Sequence, residues 1–430
     1  MAYQGALGIL ALLGIAIACS QHRRRIRWRI VASGMALQVV IATLCLSFPP
    51  LVAAIEAAAR GVTLVISFSA AGSRFIFGEQ LLDPGGPWGF VFAVQVLPII
   101  IFFAALMSVL YHLGIMQRVV GALAWVLRRS MGISGTEALS AAANVFVGQT
   151  EAPLCVRPYV PLMTRSQIAC LMTGGFATIA GSVMGAYIQM LGGSDPDQQA
   201  LFAKHFLTAS LMSAPAAIVF AKILTPESEE PPDERSAVPL RTHDTRNILD
   251  AAAVGATEGL RLAVNVAAML LAFVSLLALL NWPLAALSEN VELFRGLRDA
   301  NGVPPITLEY LLGLIFRPLA MLMGIPWGEA GAFGSLLGQQ LIATEFVAYK
   351  SLAAMTQSAE PALSPRSAQI ATYALCGFAN LPSIAIQIGG LSAMAPQRRS
   401  DFAALGLRAM AGGAMACWTT AAIAGLFIAG

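Results

Sequence analysis

Charged residues are scarce in this chain. Asp, Glu, Lys and Arg make up 11% of its 430 residues, against about 25% in an ordinary soluble domain. Hydrophobic residues make up 57%, and the mean hydropathy is +0.73. A compact soluble fold of this length could not hide so much apolar surface behind so few charges. That argues against a cytosolic enzyme, a disordered chain and a secreted disulfide scaffold. Lysine occurs only as Lys204, Lys222 and Lys350. No basic patch interleaves with aromatics, so nucleic acid is not an expected partner. The cysteines (Cys19, Cys45, Cys155, Cys170, Cys376 and Cys417) stand alone in apolar stretches without CxxC spacing, as buried thiols behaving as small hydrophobes do. The histidines His22, His112, His205 and His243 are scattered and suggest no metal cluster. What remains is an all-α polytopic membrane protein.

A membrane-crossing helix needs about 20 apolar residues. The stretches 3–20, 31–48, 89–113, 166–192, 201–224, 250–282 and 400–428 qualify, and 366–395 is long enough but broken in its middle. Together they predict eight transmembrane helices, with 3–20 read as a first span and not as a removed signal peptide. Residues 115–130 carry three Arg and read as an interfacial amphipathic helix. A further apolar helix over 306–326, with Arg317-Pro318 inside it, is expected to lie along the surface. Residues 134–162 and 328–357 each place a polar motif between two short apolar arms, which predicts two re-entrant helical hairpins.

Arginine placement orients these elements. Five Arg fall within residues 23–29, so that loop is expected in the cytoplasm and the N-terminus outside. Counting spans then puts 114–165, 225–247 (with Arg235, Arg241 and Arg246) and 396–399 inside. It puts 193–200, 283–327 (with Arg295 and Arg298) and the C-terminus outside. Trp28, Trp88, Trp282 and Trp327 fall near span ends, as an aromatic belt requires.

The chain also echoes itself. Gly148-Gln149-Thr150-Glu151 is followed by Gly175-Phe176-Ala177, and Thr344-Glu345 by Gly377-Phe378-Ala379. The Thr-Glu pairs lie 194 residues apart and the Gly-Phe-Ala triplets 202. Three spans separate the hairpins, and an odd number inverts the second unit against the first. Inverted repeats with discontinuous helices mark a secondary transporter and locate its substrate near the midplane. The predicted division is a scaffold of spans 1–3 over 1–113, a first repeat over 114–224, a cytoplasmic loop, long sixth span and external helix over 225–326, and a second repeat over 327–430.

Glu151 and Glu345 carry the strongest chemical signal. A carboxylate at membrane depth costs about 2.5–3.5 kcal/mol even on lenient scales, so it reads as functional by default. Glu137 and Glu258 lie nearer predicted span boundaries and read as structural. Asn144, Gln149, Thr150, Asn380 and Ser383 add neutral donors and acceptors. Amides and hydroxyls beside two carboxylates suit a polyhydroxylated, uncharged, base-like solute; a phosphate or dicarboxylate would want Arg.

Residues 144–161 (NVFVGQTEAPLCVRPYVP), the 175–187 span, 344–349 (TEFVAY) and 376–391 (CGFANLPSIAIQIGGL) resemble the concentrative nucleoside transporter family. The resemblance covers 114–430 by motif and the first three spans by topology. It implies a homotrimer in a bacterial inner membrane with both termini periplasmic. In such a protein a scaffold holds a transport domain that moves like an elevator and imports nucleosides of the uridine, cytidine and adenosine class. By the family pattern, Gln149, Thr150 and Glu151 would contact the nucleobase, with Val183 and Phe378 packing on it. Glu345, Asn380 and Ser383 would bind the ribose hydroxyls. Sodium would sit between Asn144 and Thr178 side chains and the Val147 and Ile179 carbonyls. The coupling ion is expected to be sodium, with the proton as the alternative, and no organic cofactor is implied. Where many members carry Ser-Ser, this chain has Pro382-Ser383. A membrane-embedded enzyme is the rival from another class, but HExxH, GxSxG and repeated His are all missing. A passive channel is the other, and compact hairpins argue against an open pore.

Overall fold

The computed structural model describes residues 2–82, 88, 91–229, 245–290, 307–358 and 360–428. Arg235, Arg241, Arg295 and Arg298, on which part of the orientation reading rests, lie outside the described residues. Among the described residues all regular structure is helical. The helices are α1 (Ala2–Ala18), α2 (Trp28–Ser47), α3 (Pro49–Phe77), α4 (Phe92–Gln95), α5 (Leu97–His112) and α6 (Ile115–Met131). The chain continues through α7 (Gly135–Asn144), α8 (Arg165–Phe176), α9 (Gly181–Gly192), α10 (Pro196–Leu224), α11 (Ile248–Asn290) and α12 (Leu308–Leu322). It ends with α13 (Trp327–Ile342), α14 (Glu345–Gln357), α15 (Pro365–Ala374), α16 (Leu381–Met394) and α17 (Arg399–Ala424).

Among the described residues, six helices are long and apolar enough to cross a membrane: α2, α3, the α4–α5 unit, the α8–α9 unit, α10 and α11. Five of these match expected spans. The sixth, α3, is not among the expected spans; Glu56, Arg60 and Arg74 punctuate it, yet it is as apolar as α10. The first span and the second half of 366–395 appear as shorter apolar helices, Gln4–Ala18 and Leu381–Met394. α17 covers the last expected span but carries Arg399, Asp401 and Arg408. α12 and α13 meet at a bend of 117°.

Helix starts follow local sequence. Ser134 and Thr164 close capping boxes with Glu137 and Gln167, and Ser364 and Asn380 accept backbone bonds at the starts of α15 and α16. The stretch after α7 does not form a second α-helical arm. It runs through 3-10 turns at Ala152–Val156 and Val160–Leu162. Pro153, Pro158 and Pro161 remove the donors that a continuous helix would need. The second motif does fall between two helices, α13 and α14, which part at Ala343 and Thr344.

Contacts sort the connections into two ends of the bundle. At one end, Gln21 N–H donates to Leu224 O at 3.1 Å and Arg25 to Ser228 O at 3.2 Å. Arg398 donates there to Met163 O at 2.8 Å. Lys222 joins the same end, 2.5 Å from Glu137 and 3.5 Å from Glu227, and donates to Ser166 at 2.9 Å. A buried charge so fully paired holds the starts of α7 and α8 to α10. At the other end Arg366 donates to Gly324 O at 2.9 Å and Gly425 O at 2.7 Å, and Gln357 to Leu191 O at 3.3 Å. α3 belongs to this second end along much of its length. Lys204 pairs with Glu56 at 2.9 Å, and Arg60, Ser67 and Arg74 share one cavity with Gln189, Ser194 and Gln199.

Candidate functional site

Two interrupted helices meet at the centre. α8 stops at Phe176 and α9 begins at Gly181; α15 stops at Ala374 and α16 begins at Leu381. Phe378 N–H donates to Thr178 O at 3.3 Å, so the two breaks bond to each other directly. Each break also holds the motif of its own half. Gly181 N–H donates to Phe146 O at 3.0 Å, while Gln340 donates to Leu375 O at 3.2 Å and Gly377 O at 3.0 Å. Irregular backbone survives at such depth only because protein satisfies it on every side.

The matched glycines have a steric reason. A Cβ on Gly175 would lie 2.5 Å from Gln387 Nε2 and 2.9 Å from Gln149 Cβ. A Cβ on Gly377 would lie 2.6 Å from both Cys417 Sγ and Phe176 O. Only glycine lets these segments approach so closely.

Beside the junction lies a cavity of about 420 Å³. Gln149, Thr150, Glu151, Val183, Glu345, Phe378, Asn380 and Ser383 all line it. These are the eight residues named from sequence for substrate, four from each half of the chain. α11 closes the cavity with Leu262, Asn265, Val266, Met269 and Leu270. Glu345 is buried and held from both sides, accepting from Tyr187 OH at 2.9 Å and Asn380 Nδ2 at 2.7 Å. Gln149 donates to Ser383 Oγ at 3.2 Å and accepts from Gln387 at 3.1 Å. Glu151 accepts from the Gly148 N–H at 3.2 Å. Asn380 also accepts from Ser383 N–H at 2.8 Å, so the cap of α16 orients two site residues at once. Pro382 stands within the first turn of that helix, where its missing donor costs nothing.

Tyr187 and Gln387 were not singled out from sequence. Each is a buried residue whose polar tip orients a site residue. A tyrosine or glutamine within an apolar helix carries no local mark that separates such a role from packing.

The four residues expected around sodium are all buried: Asn144 ends α7, Val147 follows it, and Thr178 and Ile179 occupy the first break. Asn144 Nδ2 donates to Ser140 O at 3.1 Å, but its Oδ1 is buried with no hydrogen-bond partner. Thr178 Oγ1 donates to Gly174 O at 3.0 Å, and a Cβ at Gly174 would lie 3.0 Å from Asn144 Nδ2, so the two side chains flank one residue. An orphaned amide oxygen next to a hydroxyl and irregular carbonyls fits a hard cation. His, Cys, Asp and Glu form no metal-binding group among the described residues.

Comparison with known proteins places this geometry. The family model for the Na+ dependent nucleoside transporter C-terminus matches residues 205–425, and that for its N-terminus matches 7–80. The chain belongs to the Na+-dependent, concentrative nucleoside transporter family. A nucleoside-recognition gate model matches residues 93–194 of this nucleoside transporter, which include the first motif and the first broken helix. An uncharacterized transporter of Haemophilus influenzae is 45% identical over 98% of this chain and 97% of its own length. Sodium/nucleoside cotransporter 1 of Mus musculus is 41% identical over 97% of this chain, which spans 63% of that protein. The structure of CNTnw in an inward-facing substrate-bound state is 40% identical, with a TM-score of 0.88 covering 99% of this chain and 98% of that one. A variant of CNTnw in an outward-facing state gives a TM-score of 0.87 over 99% of this chain and 97% of that one. These relatives are transporters, and this family member is a transporter and not an enzyme.

Proposed function

We propose that the chain is a sodium-coupled symporter that imports nucleosides across a bacterial inner membrane. The observation that carries this reading is the convergence of two carboxylates, the amide or hydroxyl side chains of Gln149, Thr150, Asn380 and Ser383, and Phe378 from both halves of the chain on one cavity of about 420 Å³, a size within the usual range for small-molecule sites. Glu345, Asn380 and Ser383 read the ribose hydroxyls. Gln149, Thr150 and Glu151 serve the base, which Val183 and Phe378 pack against. Asn144, Thr178, Val147 and Ile179 take the sodium ion carried with the nucleoside. The family's solved relatives in inward- and outward-facing states support alternating access. In the elevator form proposed here, residues 114–224 and 327–430 carry the site past a scaffold of 1–113 and 225–326. Apolar side chains exposed along α11, such as Leu260, Val264, Leu271 and Leu279, would face lipid or a neighbouring protomer in the homotrimer.

Reconstituted vesicles test the reading. With sodium outside and none within, radiolabelled uridine should rise above its external concentration and then fall when the gradient is dissipated. Uridine that only equilibrates, with or without sodium, would leave a passive pathway in place of a symporter.

A further inference from the structure

A second, smaller cavity of about 50 Å³ lies next to the substrate cavity and shares Glu151 and Leu262 with it. Its polar lining comes from four places: Ser108 and Tyr111 on α5, Glu151 in the first motif, Ser182 on α9, and Glu258 on α11. The way α11 reaches this point is written in its sequence. Gly255 and Gly259 are one turn apart, and a Cβ on either would lie within 2.7 Å of α5 backbone, Ala104 O and Ile101 Cα respectively. Such close glycine-mediated contact is a recurring mode of helix packing in membranes. It brings the intervening Glu258 up against α5.

Two hydroxyls in this cavity are unpaired. Ser108 and Tyr111 are only 9% and 8% exposed, and neither Ser108 Oγ nor Tyr111 OH has a hydrogen-bond partner. A buried hydroxyl without a partner costs about 1–3 kcal/mol, so two of them lining one small space point to something that they coordinate. The remaining side-chain donors are the Ser182 hydroxyl and the carboxylates of Glu151 and Glu258, and no basic side chain lines the cavity among the described residues. Hard oxygen donors with negative charge select a hard cation. A volume of about 50 Å³ holds one such ion with a water or two, at roughly 10–15 Å³ for each.

We infer that this cavity binds a second sodium ion, separate from the one expected at Asn144. The inference takes the identity of the ion from the sodium-coupled reading; the site itself stands on the geometry. Glu258, Ser108 and Tyr111 belong to segments assigned to the scaffold, and Glu151 and Ser182 to the segment assigned to the moving unit. An ion held between them bridges the two units only in the arrangement seen here. Because Glu151 also lines the substrate cavity, the ion links nucleoside occupancy to that arrangement.

The test uses the purified full-length protein and sodium chloride alone, replaced by choline chloride at constant ionic strength, with thermal unfolding as the readout. Asn144→Ala should keep a sodium-dependent rise in Tm. Adding Glu258→Gln to that variant should remove the rise or move its half-saturating sodium concentration up by about ten-fold or more, as loss of one charge-assisted contact implies. Tyr111→Phe with Ser108→Ala in the same background keeps both carboxylates and should give the same loss, which guards against misfolding of the charge variant. The site is overturned if wild type shows no sodium response, if Asn144→Ala alone abolishes it, or if both multiple variants keep the response of Asn144→Ala. A Tm shift with uridine at saturating sodium reports the nucleoside reading separately, because the sodium titration contains no nucleoside.

Discussion

Glu345 shows how a site is assembled from groups that the sequence reveals unequally. A carboxylate in an apolar stretch stands out, and so did its repeat partner Glu151. The groups that hold Glu345 do not stand out to the same degree. Asn380 falls in a legible motif, but Tyr187 reads as an ordinary aromatic in an apolar helix until its OH is found 2.9 Å from Glu345 Oε1. Tyr187 is also packed against Phe346 and Tyr349, with ring centroids 4.6 Å and 4.4 Å away, so it presents its hydroxyl from a fixed position. If Glu345 accepts ribose hydroxyls, Glu345→Gln should weaken uridine binding by about 10- to 150-fold, the worth of a bond to a charged group. Tyr187→Phe keeps the packing and loses the hydroxyl; it should cost about five-fold. Binding of 2′,3′-dideoxyuridine should change little in either variant, since it lacks the hydroxyls that Glu345 would hold. Calorimetric titration of both ligands checks this, and equal losses for the two would make Glu345 and Tyr187 structural.

At the scale of elements, 166–192 reads as an unbroken span, while the second break was legible from Gly377, Asn380 and Pro382, which interrupt an apolar run. The mutual contact of the two breaks was not legible, because no local pattern in sequence says which segments meet in space. The Gly-Phe-Ala repeat gave half of the answer: its glycines are the positions where a Cβ would strike a neighbouring segment. The second arm of the first hairpin was misjudged for a different reason. Its apolar content suggested a helix, whereas Pro153, Pro158 and Pro161 leave only 3-10 turns. α3 is punctuated by Glu56, Arg60 and Arg74 and was not among the expected spans, although it is as apolar as α10. The contact between breaks predicts a stability effect. Gly377→Ala puts a methyl group 2.6 Å from Phe176 O, and backbone on that side cannot rotate away. Overpacking of this kind costs about 1–3 kcal/mol, so Tm in detergent should fall by several degrees. Gly389→Ala, where a Cβ meets nothing within 4 Å, serves as the control on the same half of the chain. If both variants melted alike, the breaks would be looser than the structure has them.

The whole molecule turns on how many times the chain crosses the membrane between the Arg-rich loop and the first motif. Two spans are expected there, 31–48 and 89–113, and α3 stands between them. A third crossing would reverse everything that follows. The two ends of the bundle argue against that reversal. Residues 21–25 bond to 224–228 at one end, whereas Arg60 through Arg74 line a cavity with Gln189, Ser194 and Gln199 at the other. α3 therefore runs along that second end for at least four turns, as an interfacial helix would, and its Glu56 pairs there with Lys204 at the start of α10. Cys19 is exposed while Cys45, Cys155, Cys170, Cys376 and Cys417 are buried, so Cys19→Ser gives a background with little reactive thiol of its own. In that background a membrane-impermeant thiol reagent applied to intact cells should label a cysteine placed by Asp195→Cys and one placed by Ser67→Cys on α3. It should leave one placed by Arg25→Cys unlabelled until the cells are opened. The five arginines of the 23–29 loop set this direction, since cytoplasmic loops hold the excess of basic residues. Labelling of Arg25→Cys but not Asp195→Cys would invert the molecule as a whole. Labelling of Asp195→Cys and Arg25→Cys together would mean an even number of crossings between them, as a crossing α3 would supply, and the interfacial reading of α3 would fall.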